Sequence, residues 1–297
     1  MRWCLIIYQK TVSGTQNYSA MKNIVIAFDF SKNSIHALEY AVLYANVLES
    51  EITLLWVDNS VSDDLGLQHI ENELRIEKKT NLKKLIKTFE TKLKQGKIKV
   101  VLRKGKVYQE VQKLAKKIDA DFIFAGTHGV SGYEQFWIGS NTNRIVTSAP
   151  CPVVTIRNDY NFKGDINNIL MPIDSSMETK QKLPFVAELA KKFNAKIHLL
   201  QIINTPLKVI RRRIDKITLD AVECLEEEGV DFIQETVEGS NVVVTLLNYI
   251  DKNDLDLISI MTDQGTTTAN KFLGPYAQQL INNSSIPIIS LRAKEFR

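Results

Sequence analysis

Glycines and a hydroxyl at one spacing carry the first chemical signal in this chain: Gly126-Thr127-His128-Gly129, then nine residues, then Gly139-Ser140. Glycine reaches backbone angles closed to other residues and lets the main chain come close to a ligand. Successive N–H groups exposed in such a turn make a nest for anions, and Ser140 stands where it can both cap a helix and offer its hydroxyl to a phosphate. The plainer alternative is that the glycines serve the turn alone. His128 lies between two of them with no acidic residue in view to orient it, so it reads as a loop residue rather than an acid or base. No catalytic residue and no metal-ligand set is assigned. The loop also lacks the Gly-Lys-[Ser/Thr] ending of a Walker motif, and no lysine presents itself to neutralise a transferred phosphoryl group.

The elements that must hold this loop alternate in type. Apolar runs at 24–28, 52–57, 98–103, 122–125 and 153–156 read as strands, and 34–48, 65–94, 107–118 and 142–147 as helical segments between them. Runs such as Ile24-Val25-Ile26-Ala27-Phe28 are apolar throughout, as strands covered on both faces should be. The alternation predicts right-handed βαβ units, that is, an α/β fold with a mostly parallel, doubly wound sheet. The loop then follows the carboxyl end of a strand, where open α/β sheets bind ligands.

The order starts again after a polar stretch at 158–165, with strands at 169–173, 197–202, 232–236, 257–260 and 288–291. Asp121-Phe122-Ile123 matches Asp256-Leu257-Ile258, and Ala149-Pro150-Cys151-Pro152-Val153 matches Ser284-Ser285-Ile286-Pro287-Ile288, which an internal duplication explains. The expected organisation is an extension at 1–20, one domain at 21–157, a linker at 158–165 and a second domain at 166–297, giving two tandem five-stranded sheets. Residues 1–20 read as an extension or as sequence upstream of a start at Met21.

With 297 residues, two cores can be buried, and a net charge of +4 spread over helical lysines calls for neither nucleic acid nor a membrane surface. No apolar run reaches the roughly 18 residues of a membrane span. Cys4, Cys151 and Cys224 show no paired or metal-binding spacing, which fits a reducing, cytoplasmic setting.

The Gly-x-x-Gly-x9-Gly-[Ser/Thr] pattern at this place in the fold resembles the ATP-binding signature of the universal stress protein family, and the likeness extends over residues 21–297. It implies an adenine-nucleotide α-hydrolase-like, Rossmann-like fold. It further implies that Asp29, after the first strand, contacts the nucleoside, and that Val57, at the end of the second, lines the adenine pocket. Gly126, Gly129, Gly139, Ser140 and Asn141 take the phosphate-contacting positions. By itself Asp29 reads as a helix-capping residue and Val57 as a strand residue. The implied ligand is ATP or AMP, with any Mg²⁺ held on phosphate oxygens and water. Pairing of the two last strands would make one chain a pseudo-dimer, with further homodimerisation open. A regulatory protein partner, not identifiable from the sequence, completes the implied picture of a nucleotide-dependent stress-response binding protein. Weak ATP hydrolysis and a ligand-free scaffold are the alternatives.

In the second half the same positions are Met261, Gln264, Gly274 and Pro275. Met and Gln bring a Cβ, and Pro275 has no N–H to give, so this half is expected not to bind ATP. Asp174 persists, and Thr266, Thr267 and Thr268 supply hydroxyls that leave another small ligand open.

Overall fold

The computed structural model describes residues 21–58, 68–127, 139–157, 159–262 and 273–292. In the first half β1 (Asn23–Phe28), β2 (Glu51–Asp58), β3 (Ile98–Lys104), β4 (Phe122–Gly126) and β5 (Val153–Ile156) alternate with α1 (Lys32–Leu48), α2 (Gln68–Glu90), α3 (Val107–Lys117) and α4 (Ser140–Ser148). The second half repeats this with β6 (Asn168–Ile173), β7 (Lys196–Ile203), β8 (Phe232–Glu238), β9 (Leu257–Thr262) and β10 (Ile288–Arg292). Between them lie a 3-10 helix (Met177–Lys182), α5 (Leu183–Phe193), α6 (Lys208–Glu227), α7 (Val242–Lys252) and α8 (Pro275–Asn283).

All ten strands form one sheet in the order β3-β2-β1-β4-β5-β10-β9-β6-β7-β8. The two five-stranded parallel sets expected from the sequence are therefore joined. Their junction is the antiparallel pair β5–β10, in the register Ile288↔Thr155, Ile289↔Val154 and Ser290↔Val153. Each last strand thereby covers an edge of the other half that would otherwise template aggregation.

Strand alternation feeds two apolar layers. Ile24, Ile26 and Phe28 face α1 and α2, and this layer continues under α5 and α6, while Val25, Leu55 and Ile123 belong to the opposite layer under α3, α4, α7 and α8. The first layer is continuous across the junction, through rings. Tyr44 lies 4.9 Å from Phe193 and Phe122 lies 5.9 Å from Phe185 between ring centroids. The connecting segment contributes too, since Tyr160 and Phe162 stand edge-on to Tyr40 at 6.0 and 5.8 Å.

The Tyr40 hydroxyl donates to the Asp256 carbonyl oxygen at 3.3 Å, a buried bond between the halves. The neighbouring Tyr44 hydroxyl is buried without a partner among the described residues. Tyr40→Phe is therefore expected to lower stability by about 1 kcal/mol, because it orphans a buried carbonyl, whereas Tyr44→Phe leaves stability unchanged or raised. Urea unfolding of the two variants beside the parent checks this, and equal losses would overturn it.

Candidate functional site

β1 and β4 are the neighbours at which the strand order reverses, so the crevice at their carboxyl ends is the switch point of the first half. Four registered pairs hold them, from Ile24↔Phe122 to Ala27↔Ala125. Asp29 leaves β1 directly above this crevice. Its Oδ1 accepts the Ser31 N–H at 3.0 Å, a turn that sets up α1. Ser31 is the N-cap: its Oγ accepts the Ser34 N–H at 3.1 Å, and Ser34 Oγ donates back to the Ser31 carbonyl at 2.9 Å. Phe30 between them adopts φ 67°, a left-handed backbone rare for a bulky residue, and its ring meets Phe28 and Trp56 edge-on at 5.0 and 5.2 Å.

Gly126 ends β4 against the first turn of α1. A Cβ there would lie 2.4 Å from Asn33 Cβ and 2.8 Å from the Asn33 carbonyl carbon. The glycine thus has a packing duty that the sequence pattern did not reveal. Its carbonyl accepts the Thr142 hydroxyl at 2.7 Å, and the Gly139 N–H donates to the Thr127 carbonyl at 2.8 Å. These two bonds tie both ends of the loop together and bring Gly126, Gly139, Ser140 and Asn141 to one place.

Gly139 precedes α4 as an N-cap with no side-chain cap bond, and the first intrahelical bond runs from the Asn143 N–H to the Gly139 carbonyl. The Ser140 and Asn141 N–H groups therefore have no intrahelical acceptor, and both residues are exposed. Gly139 spends its own N–H on loop closure. Val57 is buried in the layer beneath α3 and α4, hence on the same side of the sheet as Ser140, while the Asp29 turn leads into α1 on the other side. Gly129, His128 and Trp137 lie outside the described residues. Arg144 places its guanidinium over the Tyr108 ring at 5.3 Å. Cys151 is buried, which pushes its thiol far above the ordinary range.

The second half keeps one part of this arrangement and changes the rest. Asp174 Oδ1 accepts the Ser176 N–H at 2.9 Å, as Asp29 does for Ser31. Beyond it the chain winds as the 3-10 helix before α5 begins at Leu183, whereas α1 begins at Lys32, directly after its cap. Met261 occupies the position of Gly126, and the 3-10 helix packs against its strand β9. α8 starts with Pro275, so the N–H that Ser140 offers in α4 has no counterpart. Gln264, Thr266, Thr267 and Thr268 lie outside the described residues.

The strands differ as well: β6 and β9 are registered only at Ile169↔Leu257 and Leu170↔Ile258. Pro172 cannot donate to a ladder, and its carbonyl instead accepts the Lys182 ammonium at 2.6 Å. Lys182 is only 3% exposed; burial pulls its pKa down to about 8, against the raising effect of the Asp174 carboxylate.

The universal stress protein family model matches this chain twice, over residues 21–157 and 165–292, one match for each run of five strands. The chain belongs to the universal stress protein family. A universal stress protein of Methanocaldococcus jannaschii is 32% identical over 143 residues, covering 46% of this chain and 82% of that protein. The solved universal stress protein of Archaeoglobus fulgidus DSM 4304 superposes with a TM-score of 0.74 over 92% of this chain and 99% of its own, at 19% identity. A protein of unknown function from Pseudomonas aeruginosa PAO1 follows with a TM-score of 0.66 at 16% identity, over 95% of this chain and 96% of its own. At these identities the solved structures show the fold, shared across both halves.

Proposed function

We propose that this universal stress protein binds one ATP, in its first half, and acts as a nucleotide-dependent regulatory protein in a cytoplasmic stress response. The observation that carries the reading is the pair of N–H groups on Ser140 and Asn141, at a helix start with no side-chain cap, held beside Gly126 at the switch point. Such a donor set fits a phosphate chain: it is positive in character and lies at the carboxyl end of the sheet, where Gly139 brings no side chain. In this reading Ser140 and Asn141 hold phosphate oxygens, Asp29 takes the ribose hydroxyls, and Val57 meets the adenine. Gly129 belongs to the same phosphate loop, and AMP would use the nucleoside part of the site. Bound ATP brings its own anionic oxygens for Mg²⁺, which then needs no carboxylate cage.

Regulation follows from where the site sits. Asp29 and Gly126 abut the first turn of α1, and α1 carries Tyr40 and Tyr44 into the ring cluster shared with the second half. Occupancy therefore acts on the junction between halves, and through it on a partner surface. Hydrolysis has less support, since Arg144 lies over Tyr108. Among the described residues no helix is long and apolar enough to cross a membrane.

Calorimetric titration of ATP into nucleotide-stripped protein tests the reading. The expected stoichiometry is near one per chain. Ser140→Pro copies the residue that already opens α8, so it leaves the helix intact while deleting one phosphate N–H; affinity should fall by about tenfold or more. A stoichiometry near two would sink the distinction between halves, and absence of binding would leave the scaffold reading.

A further inference from the structure

The charges on α6 run against the helix dipole. Lys208, Arg211, Arg212, Arg213 and Lys216 crowd its amino-terminal half, Glu223, Glu226, Glu227 and Glu228 its carboxyl end, with no acidic residue in the first turn and no basic one in the last. Helices gain from the opposite order, anions at the amino terminus and cations at the carboxyl terminus. Arg211 is held by Glu238 of β8, and Asp220 by Lys180. Arg212, Arg213, Lys216, Glu223 and Glu226 are exposed and have no ion-pair partner among the described residues.

The outward face of α6 has a pattern of its own. Val209, Arg212, Lys216, Leu219, Glu223 and Glu226 recur at intervals of three and four, the spacing of a helix–helix seam. Val209 is 74% exposed and Leu219 is 62% exposed, although the opposite face of the same helix buries Ile214, Ile217, Ala221 and Leu225 in the core. Two apolar residues and two blocks of opposite charge thus lie along one stripe facing solvent.

We infer that this stripe is the contact surface for a second copy of the chain, with the two α6 helices antiparallel about a two-fold axis beside Leu219. Under that symmetry the same patch serves both copies. Arg212 and Lys216 of one copy stand against Glu226 and Glu223 of the other, the two Leu219 side chains meet near the axis, and the opposed helix dipoles cancel. A parallel arrangement would set like charges together. The contact is small and largely polar, so the dimer is a weak one whose strength depends on salt.

Sedimentation equilibrium on the full chain tests this with Arg212→Glu/Lys216→Glu, with Glu223→Arg/Glu226→Arg, and with the two mixed. Each double variant alone is expected to dimerise about tenfold more weakly or worse, and the mixture to recover dimers as heterodimers. Far-UV circular dichroism of each variant at a concentration where the parent too is monomeric should match the parent's, which separates lost association from lost folding. Salt of about 1 M, which shortens the Debye length to about 3 Å, should dissociate the parent dimer. A parent chain that is monomeric at low salt, a dimer indifferent to both reversals, or a mixture that stays monomeric would overturn the inference.

Discussion

Gly126→Ala is expected to cost about 3 kcal/mol of stability and to remove ATP binding. The added Cβ would fall 2.4 Å from Asn33 Cβ, 2.8 Å from the Asn33 carbonyl carbon and 3.1 Å from the Ser34 nitrogen. Two of those atoms are backbone in the first turn of α1, so no rotamer change relieves the clash and the turn itself has to move. Overpacking of this kind costs about 1–3 kcal/mol, and a backbone displacement lies at the upper end. The turn that moves also carries the Ser31 cap and the bond from Ser31 to Asp29, and the Gly126 carbonyl that moves with β4 is the acceptor of Thr142 in α4. One methyl group therefore disturbs both sides of the proposed nucleotide site at once. Thermal unfolding and ATP titration of the purified variant check the two parts of the expectation. A variant that melts with the parent would refute the packing argument. One that loses stability but still binds ATP at parental affinity would break the link from α1 to the site.

The second half is a natural experiment on the same contact. Where Met261 replaces the glycine, the segment after Asp174 forms a 3-10 helix and α5 begins only at Leu183. A different helix start beside the bulkier residue is what the Gly126 geometry leads one to expect. The second half thus differs from the first in its helix start as well as in its residues, with Met261 and Pro275 where the first has Gly126 and Ser140.

This comparison also shows how far sequence patterning reaches. Apolar runs located the central strands because a strand buried on both faces must be apolar throughout, as residues 24–28 are, whereas the edge strands β3 and β8 are largely exposed and mixed in character. The repeat of motifs such as Asp121-Phe122-Ile123 and Asp256-Leu257-Ile258 has a clear basis in the fold. Asp121 accepts the N–H groups of Lys22 and Asn23, and Asp256 those of Asn167 and Asn168, each carboxylate bracing the start of the neighbouring strand. Pairing of the last strands was foreseeable from their need for cover. What the pattern could not show depends on distance rather than residue type. The approach of Asn33 to Gly126 and the closure bond from Gly139 to Thr127 are examples. So is the split between β6 and β9, although Pro172 in a central strand was a usable warning, since proline there must cost a ladder bond.

That split supplies the second large effect. Asp29 and Asp174 correspond at an offset of 145, and the same offset carries Ala37, fully buried on the inner face of α1, onto Lys182. A lysine thus stands in an apolar position, its ammonium donating to the Pro172 carbonyl that the opened ladder leaves free. Burial lowers its pKa from 10.5 to about 8, so between pH 8 and 10.5 the unfolded chain holds a proton that the folded chain has released. Stability then rises with pH over that window, and at about 1.36 kcal/mol per unit the rise is about 3 kcal/mol. Lys182→Met removes the titrating group and should flatten the rise. Near pH 7 the variant sheds the cost of a buried charge but orphans the Pro172 carbonyl, about 1–3 kcal/mol, so the two proteins should be of similar stability there. Toward pH 10.5 the parent should be the more stable by about the cost of the orphaned carbonyl. Urea unfolding at a series of pH values reads the difference directly, with the remaining lysines cancelling between the two proteins. Parallel curves would mean that Lys182 keeps an ordinary pKa and that water reaches it, which would reopen the second switch point as a hydrated crevice.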